Sequence, residues 1–406
     1  MKILIKHATL VSMDENREKI EENMDILIQQ DRIEKIGKNI MEKDCKILEA
    51  NHRIVMPGMI NTHAHVPMSL FKESVDGYPL QEWLEKKIWP IEDHLTNEDI
   101  QKYSAMTFDE MIHTGTTMVN DQYFDTEAII RAAQEKQIRI ELTRTLMDSD
   151  GKGDRRLDEL EELLEKYKQI DGCITFNIGL HGLYTSNETY VQKVTDFARK
   201  TGLKIHMHFC ENAKEVEDIK REYHVDYPAQ VLKKYFYGIP VILAHGVKLT
   251  EQDIQILKTL NVSVAHCPVS NLKLGCGIAP VQMLLKKGLN VSLGTDGQGS
   301  GSNMDMFEAM KFAALLQKGS TENPMAMGAY ETLQLATING AKAMGMEKEI
   351  GSITVGKKAD LILVDLEENY VERPVNDVLA TLVYNAKGTN VKMTMVNGKI
   401  LMNEIN

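Results

Sequence analysis

Two histidines separated by one residue, His63 and His65, close the first long apolar run of the chain at residues 55–65. Side chains alternate between the two faces of a β-strand, so both imidazoles point to one side and Ala64 points to the other. Neutral imidazole nitrogens at the end of a buried strand suit a divalent zinc or iron ion. An isolated pair of this kind also occurs in ordinary packing, so other residues must decide its role.

Residues that can bind a metal ion or carry a proton also close five later apolar runs. These runs end in His181, in His208 with Glu211 three residues further on, in His245, in His266 and in Asp296. Three histidines and one aspartate can hold a single ion and leave a position for water, and ligation without sulfur weighs against a structural zinc. An ion held in this way lowers the pKa of bound water from about 16 toward about 7, which supplies a nucleophile at neutral pH.

One of these runs offers two histidines on the same face, His206 and His208. We prefer His208 as the ligand because Glu211 stands just beyond it, whereas His206 lies one pleat deeper and is expected to be a core residue. Glu211 can then reach over a substrate and protonate a leaving or ring nitrogen, a role that typically contributes about 10² to 10⁴ in rate. His245 can polarise the bound water, and Asp296 can both bind the metal and accept the proton of the water.

Eight apolar runs, each followed by a helical stretch, must position these residues. The runs lie at 55–65, 116–121, 139–147, 173–181, 203–211, 240–247, 262–270 and 289–296. From His65 to Asp296 they recur about every 33 residues, which is the length of a βα repeat. This alternation predicts an α/β fold, a (β/α)₈ or TIM barrel. Active sites of such barrels lie at the carboxyl ends of the strands, where the candidate residues fall.

Both ends of the chain have a different pattern, with short alternating runs separated by polar turns. This pattern favours β-strands. We expect residues 1–55 and 350–406 to pair into one small β-sandwich domain, with residues 56–349 forming the barrel. The hydrophobic fraction of 43% in 406 residues is enough to fill a core of this size.

The charge of the chain limits its partners. A formal net charge of −12, without a basic stripe, argues against binding to nucleic acid and favours a small-molecule ligand. No apolar run approaches the roughly 18 residues of a membrane-spanning helix, and the first residues are interrupted by charge too soon for a signal peptide. We therefore expect a cytoplasmic protein with no membrane partner. The sequence is compatible with a homo-oligomer.

Short motifs follow one another along nearly the whole chain. They lie at 57–68 (PGMINTHAHVPM), 82–84 (EWL), 88–92 (IWPIE), 179–182 (GLHG), 208–211 (HFCE), 244–246 (AHG), 266–271 (HCPVSN), 294–297 (GTDG) and 351–360 (GSITVGKKAD). Together and in this order they resemble the amidohydrolase superfamily, and more narrowly the 5-methylthioadenosine/S-adenosylhomocysteine deaminase family.

The resemblance implies a metal held by His63, His65, His208 and Asp296, with hydroxide adding to C6 of an adenine ring and ammonia departing. Glu211 would protonate a ring nitrogen, and His245 with Asp296 would handle the protons of the water. Some two-metal barrel hydrolases bridge their ions with a modified lysine of the fourth strand, but residues 173–181 contain no lysine. We therefore expect one divalent ion per subunit, with zinc favoured and ferrous iron as the alternative.

The resemblance also implies substrate contacts outside the metal site. Glu92 would accept hydrogen bonds from ribose hydroxyls, His181 would lie near the ribose or base, and Arg144 and Arg156 would face the 5′ substituent. A carboxylate can accept from two neighbouring hydroxyls, and a guanidinium binds a carboxylate through two parallel hydrogen bonds. Glu211 and Asp296 would contact the substrate as well.

These expectations combine into a hydrolytic deaminase of 5′-modified adenosines. Its substrates would be S-adenosylhomocysteine, 5′-methylthioadenosine and smaller relatives such as 5′-deoxyadenosine or adenosine, each giving the inosine derivative and ammonia. An alternative keeps the barrel and metal but acts on another aminated heterocycle, such as guanine, a pterin or an s-triazine; Glu92 favours a ribose-bearing ligand over these. A more remote alternative is a non-catalytic scaffold.

Overall fold

The computed structural model describes residues 2–51, 53–72, 77–170, 172–366 and 377–405. Its strands are β1 (Lys2–Leu10), β2 (Glu21–Gln29), β3 (Arg32–Gly37), β4 (Lys46–Glu49), β5 (Ile54–Pro57), β6 (Met59–Ala64), β7 (Thr116–Tyr123), β8 (Arg139–Leu146), β9 (Ile174–Leu180), β10 (Ile205–Phe209), β11 (Val241–His245), β12 (Val262–His266), β13 (Asn290–Leu293), β14 (Leu361–Val364), β15 (Val391–Val396) and β16 (Lys399–Asn403).

Helices follow most strands of the central part of the chain. They are α1 (Leu80–Trp83), α2 (Trp89–Glu92), α3 (Asn97–His113), α4 (Thr126–Lys136), α5 (Gly153–Lys166), α6 (Glu188–Thr201), α7 (Ala213–Tyr223), α8 (Ala229–Tyr235), α9 (Glu251–Leu257), α10 (Pro268–Lys273), α11 (Val281–Lys286), α12 (Gln298–Gly301), α13 (Met306–Thr321), α14 (Ala329–Ala336), α15 (Ile338–Met344) and α16 (Val378–Tyr384). Short 3₁₀ turns lie at Val66–Phe71, Leu183–Thr185 and Gly388–Asn390, and a π-helical turn at Leu84–Ile88 joins α1 to α2.

Strands β6 to β13 form one parallel sheet in chain order. The first and last strands of this sheet meet, because the Thr62 hydroxyl donates to the Leu293 carbonyl over 2.8 Å and the Asp296 amide donates to the His63 carbonyl over 3.0 Å. Helices cover the outside of the sheet, so its strands are buried on both faces. The predicted (β/α)₈ barrel is confirmed.

Strands from both chain ends form a second, mixed sheet in the order β16-β15-β14-β5-β1-β2-β3, with β4 also paired to β1. The hairpin between β15 and β16 turns at Asn397 and Gly398, whose φ angles of 52° and 73° are those of the tight turns that hairpins favour. The predicted β domain from both chain ends is therefore confirmed as part of the fold. Residues 367–376 of its expected C-terminal part lie outside the described residues.

The apolar run at 55–65 was expected to be one barrel strand, and this expectation is wrong in part. The run contains two strands in different sheets, since β5 pairs with β1 and β14 whereas β6 pairs with β7. The chain crosses between the sheets at Gly58, where a Cβ atom would lie only 2.1 Å from Cγ2 of Thr117. Glycine at this position lets the two sheets approach each other.

A buried ion pair joins the amino-terminal end of the barrel strands to the terminal sheet. Arg139 at the start of β8 donates to both carboxylate oxygens of Asp360 over 2.8 and 3.1 Å. Asp360 also accepts the amide of Asn397 over 2.7 Å. The contact therefore connects the barrel, the segment before β14 and the final hairpin. Within the described part of the chain, every helix is too short or too polar to cross a membrane.

Candidate active site

A cavity lies at the carboxyl ends of the barrel strands. The residues that line it are His65, Met68, Leu80, Trp83, Leu84, Ile88, Trp89, Glu92, Gln122, Tyr123, Phe124, Thr145, His181, Tyr184, His208, Glu211, His245, Asp296 and Ser300. Because all eight strands are parallel, polar residues that are far apart in sequence meet at this one rim. The cavity therefore brings together His65, His181, His208, Glu211, His245 and Asp296, with Glu92 from the end of α2.

Two of the histidines are oriented by backbone carbonyls. Nδ1 of His65 lies 2.6 Å from the Gln122 carbonyl, and Nδ1 of His208 lies 2.7 Å from the His181 carbonyl. A carbonyl accepts only, so each Nδ1 carries the proton and each Nε2 keeps its lone pair. The two Nε2 atoms lie 3.3 Å apart. Outer partners of this kind are typical of histidines that bind metal ions.

His63 lies deeper in the barrel and is fully buried. Its Nδ1 is 2.7 Å from Nε2 of His206, and Nδ1 of His206 lies 2.9 Å from the side-chain amide nitrogen of Asn120. Nε2 of His63 is buried without a hydrogen-bond partner among the described residues and lies 3.6 Å from Oδ1 of Asp296. Burial lowers the pKa of His63 well below its ordinary value, so the imidazole is neutral. A buried, neutral nitrogen that has no hydrogen-bond partner and faces a carboxylate fits a site at which both groups bind a cation.

Asp296 follows β13 with a left-handed backbone, φ 64°. Its Oδ2 accepts the hydroxyls of Ser270 and Ser300 over 2.5 and 2.9 Å, while Oδ1 faces Nε2 of His65 at 3.3 Å. Burial alone would raise the pKa of Asp296, but the imidazoles of His65 and His245 and the hydrogen bonds hold it below its ordinary value. The carboxylate is therefore ionised and directed toward the histidines.

The donor atoms of two overlapping groups converge. One group is His63, His65 and His208, the other is His63, His245 and Asp296, and within each group the nitrogen or oxygen atoms lie within 4.8 Å of one another. Imidazole nitrogens with one carboxylate oxygen and no sulfur form the donor set of catalytic zinc and iron sites. These residues therefore fit a divalent transition-metal ion.

Glu211 lies two residues beyond the end of β10 and is buried. Burial, and secondly the charge of Asp296, raise the pKa of Glu211 to about 8. Glu215, at the start of α7, accepts the backbone amides of Cys210 and Glu211 over 2.8 and 2.7 Å. The carboxyl of Glu211 thus holds a proton at neutral pH, and its backbone is fixed from the next helix.

His245 ends β11 with a left-handed backbone, φ 75°. Its Nδ1 lies 2.9 Å from Oδ1 of Asn271 and 3.8 Å from Oε1 of Glu211. The amide oxygen of Asn271 accepts a hydrogen bond from Nδ1–H of His245, so Nε2 of His245 carries a lone pair that can accept a hydrogen. Non-glycine residues in this backbone conformation are uncommon and cluster at functional sites, and both His245 and Asp296 adopt it.

Glu92 and His181 line the outer part of the cavity. The hydroxyl of Tyr123 donates to Oε1 of Glu92 over 2.6 Å. The second oxygen of the carboxylate has no hydrogen-bond partner among the described residues, and Glu92 lines the cavity. His181 contacts the Thr185 hydroxyl through Nδ1 at 3.1 Å, and burial lowers its pKa to about 4, so it is neutral.

Arg144 and Arg156 were expected to contact the substrate, but the structure does not bring them into the cavity lining. Arg144 pairs with Glu159 and donates to the Phe124 carbonyl. Arg156 donates to both carboxylate oxygens of Asp150 over 2.6 and 2.8 Å. His206 and His266 are also outside the lining and lie buried within the barrel, where the sequence placed His206.

Several residues that shape the site carried no clear signal in the sequence. Asn271 orients His245, Ser270 and Ser300 bind Asp296, Glu215 holds the backbone of Glu211, and Tyr123 orients Glu92. Ser270 and Asn271 stand in the HCPVSN motif, and its position after a strand end could have pointed to them. The others act through partners that only the fold brings near.

Comparisons with known proteins agree with this site. A model of the amidohydrolase family matches residues 54–401. A 5-methylthioadenosine/S-adenosylhomocysteine deaminase from Caldanaerobacter subterraneus is 40% identical over 407 residues, covering 99% of this chain and 93% of its own length. A 5′-deoxyadenosine deaminase from Methanosarcina acetivorans is 40% identical over 403 residues, covering 98% and 92%.

A solved structure shows the same architecture. The crystal structure of an adenosine deaminase from Xanthomonas campestris with bound zinc matches with a TM-score of 0.93 at 30% identity, covering 99% of this chain and 93% of that chain. The family match spans most of the chain, and the relatives are similar over nearly their full length. The chain therefore belongs to the amidohydrolase family and, within it, to the group of the 5-methylthioadenosine/S-adenosylhomocysteine deaminases.

Proposed function

We propose that the protein is a metal-dependent hydrolytic deaminase that converts 5′-modified adenosines into the corresponding inosines and ammonia. One observation carries the proposal: the orphaned His63 nitrogen, three further histidines and Asp296 converge beside a protonated Glu211, in a cavity that also contains Glu92. The names of the relatives, which include 5′-deoxyadenosine deaminase, support this substrate class.

His63, His65, His208 and Asp296 would hold one divalent ion per chain. When bound, such an ion lowers the pKa of a coordinated water and thus supplies a nucleophile near neutral pH. We propose zinc, and the bound zinc in the structurally similar adenosine deaminase supports that choice. His245, which forms a converging group with His63 and Asp296, would lie beside the ion.

The reaction replaces the exocyclic amino group of the adenine ring by oxygen. The water oxygen adds to C6, a ring nitrogen gains a proton, and the C6–N bond then breaks so that ammonia leaves. Glu211 is suited to give the ring proton because its carboxyl is buried and protonated at neutral pH. Rate contributions of about 10² to 10⁴ are typical for such an acid.

His245 and Asp296 are suited to take the protons of the water. Asn271 binds the Nδ1 proton of His245, which leaves Nε2 as an acceptor. Ser270 and Ser300 bind one oxygen of Asp296 and leave the other directed at the cluster. A proton taken here must reach the leaving amine, and both groups lie at the wall of the same cavity as Glu211.

Glu92 would bind the ribose. One oxygen accepts from Tyr123, so the carboxylate has a defined orientation and can accept hydrogen bonds from the two vicinal hydroxyls. We expect Glu92→Ala to lower kcat/KM for nucleosides at least ~10-fold, while the bound metal per chain and the melting temperature stay near those of the wild type. An unchanged kcat/KM would contradict the assignment.

The proposed activity is tested with metal-loaded protein and four substrates: S-adenosylhomocysteine, 5′-methylthioadenosine, 5′-deoxyadenosine and adenosine. Deamination releases ammonia and shifts the absorbance from that of adenosine to that of inosine. We expect equimolar ammonia and inosine derivative from at least one 5′-modified substrate. If none of the four substrates is converted, the proposed function is refuted.

A further inference from the structure

His63 differs from His65 and His208 in what holds its second ring nitrogen. Nδ1 of His65 and Nδ1 of His208 face backbone carbonyls, which only accept hydrogen bonds, so the tautomer of each ring is fixed. Nδ1 of His63 instead faces Nε2 of His206 at 2.7 Å. An imidazole nitrogen can either donate or accept, so the tautomer of His63 depends on that of His206.

The contact between His63 and His206 has the geometry of a hydrogen bond. The two ring planes are inclined by only 18°, and the ring centroids are 4.9 Å apart. Rings stacked face to face could not bring two nitrogens to 2.7 Å, so these rings meet edge to edge. The N–H bond and the nitrogen lone pair of an imidazole both lie in the ring plane and therefore point along this contact. Both residues are buried, and a hydrogen bond in the protein interior is stronger than one in water.

A chain of hydrogen bonds continues from His206 into the barrel. Nδ1 of His206 lies 2.9 Å from the amide nitrogen of Asn120, and Oδ1 of Asn120 lies 2.5 Å from the Thr143 hydroxyl. A half-turn of the Asn120 amide exchanges its nitrogen and oxygen with little change in shape. A neutral imidazole carries one proton, so the chain can run in two directions: from Asn120 through His206 to His63, or from His63 through His206 to Asn120.

Only one of these directions suits metal binding by His63. If Asn120 donates to His206, then Nε2–H of His206 donates to His63. The proton of His63 is then left on Nε2, the atom that faces Asp296, and this nitrogen has no lone pair for an ion. In the opposite direction, Nδ1–H of His63 donates to His206, and Nδ1–H of His206 donates to the side-chain carbonyl of Asn120. Nε2 of His63 then keeps its lone pair.

The surroundings of Asn120 are compatible with the second direction. The Thr143 hydroxyl can accept as well as donate, so it can bind the Asn120 nitrogen after the half-turn. The bond given up is the longer one, 3.3 Å from that nitrogen to the Thr62 carbonyl. Resting on the metal-binding part of the proposed function, we propose that His206 is a positioning residue for the metal. It accepts the Nδ1 proton of His63 and so presents Nε2 of His63 to the ion.

Zinc affinity tests this role with a matched pair of variants, His206→Gln and His206→Met. The side-chain oxygen of glutamine lies as many bonds from Cα as Nε2 of histidine and can accept from His63, whereas methionine has a methyl group at this place. We expect the zinc dissociation constant of His206→Met to rise about 10- to 100-fold, and that of His206→Gln to stay within a few-fold of the wild type. The constants are measured on metal-stripped protein against a competing chelator, and the melting temperature without metal is the control for folding.

Three outcomes of this experiment count against the inference. Unchanged zinc affinity in His206→Met would show that His63 needs no acceptor. An equal loss in both variants would show that the shape of the side chain matters and its acceptor does not. If the wild type binds no zinc, the metal site of the proposed function fails and the inference fails with it, whereas the first two outcomes leave the proposed function standing.

The tautomer of His206 can also be observed directly in the wild-type protein. When histidine is labelled with an NMR-active nitrogen isotope, NMR distinguishes protonated from unprotonated ring nitrogens, and the signals of His206 are those absent from His206→Gln. We expect His206 of the zinc-loaded protein to carry its proton on Nδ1, with Nε2 unprotonated. A proton on Nε2 of His206 in the loaded protein would overturn the inference even if the zinc affinities agree with it.

Discussion

A carboxyl group that protonates a ring nitrogen must still hold its proton at neutral pH. The pKa of Glu211 is raised to about 8, mainly by burial and secondly by Asp296. A bound cation acts in the opposite direction and lowers the pKa of Glu211. A general acid is active while protonated, and the corresponding rate is lost as the pH rises through its pKa.

The environment of Glu211 therefore predicts a pH effect. We expect kcat of the wild type to fall at high pH with a midpoint at or below about 8. For Glu211→Gln we expect kcat to be lower by about 10²- to 10⁴-fold and to show no such fall at high pH. Rates measured from pH 6 to 10 on both proteins check this, with metal content as the control. A Glu211→Gln variant with a near-normal rate would show that another group protonates the ring.

The role of Asp296 as a metal ligand and proton acceptor can be tested by replacing it with asparagine. Asp296→Asn keeps the side-chain volume and one acceptor oxygen for Ser270 and Ser300 but removes the negative charge. We expect a folded protein that loses most activity and binds metal more weakly, measured as bound zinc per chain after dialysis. Full activity at normal loading would mean that Asp296 is not the proton acceptor.

At the scale of elements, parallel strands explain why much of the site could be found from the sequence. Once eight strands were recognised, their carboxyl ends had to share one rim, which placed His65, His208 and Asp296 together. Strand phase was harder to infer, because β8 is buried on both faces and its sequence does not show that Thr143 and Thr145 face inward. Arg144 pairs with Glu159 of α5 in the structure, and its contact with the substrate stays a prediction.

Gly58 marks another place where the sequence pattern did not show the structure. The run at 55–65 crosses from the terminal sheet into the barrel, and the boundary is revealed by the pairing of β5 with β14 and of β6 with β7. Partners such as Asn271, Glu215 and Tyr123 were missed for a related reason. Each acts on a residue that comes near it through folding, and a lone polar residue near a strand end does not identify its partner.

The close approach at Gly58 predicts the effect of a substitution. In Gly58→Ala the new Cβ would lie 2.1 to 2.6 Å from three side-chain atoms of buried Thr117, so β5 and β6 must shift. We expect a loss of about 1–3 kcal/mol in unfolding free energy, seen as a lower melting temperature. Gly37→Ala is the matched control, because a Cβ there meets nothing within 4 Å. Equal melting temperatures for the two variants would show that the crossing tolerates a side chain.

At the scale of the whole molecule, the barrel depends on the terminal sheet through the buried pair of Arg139 and Asp360. Removing one partner of such a pair leaves a buried charge uncompensated and typically costs about 3–5 kcal/mol. We expect Asp360→Asn to lower the melting temperature by several degrees, and the double variant Arg139→Met with Asp360→Leu to recover part of the loss. If Asp360→Asn is as stable as the wild type, the pair of Arg139 and Asp360 does not help to join the two sheets.

Metal-dependent deamination is the central claim, and a zinc titration tests it most directly. Protein stripped of metal with a chelator is titrated with zinc while ammonia release from 5′-methylthioadenosine is measured. The four converging ligands predict no activity without metal, a linear rise up to one equivalent of zinc per chain, and a plateau beyond it. Full activity of the stripped protein, or no ammonia at any zinc loading, would contradict the account.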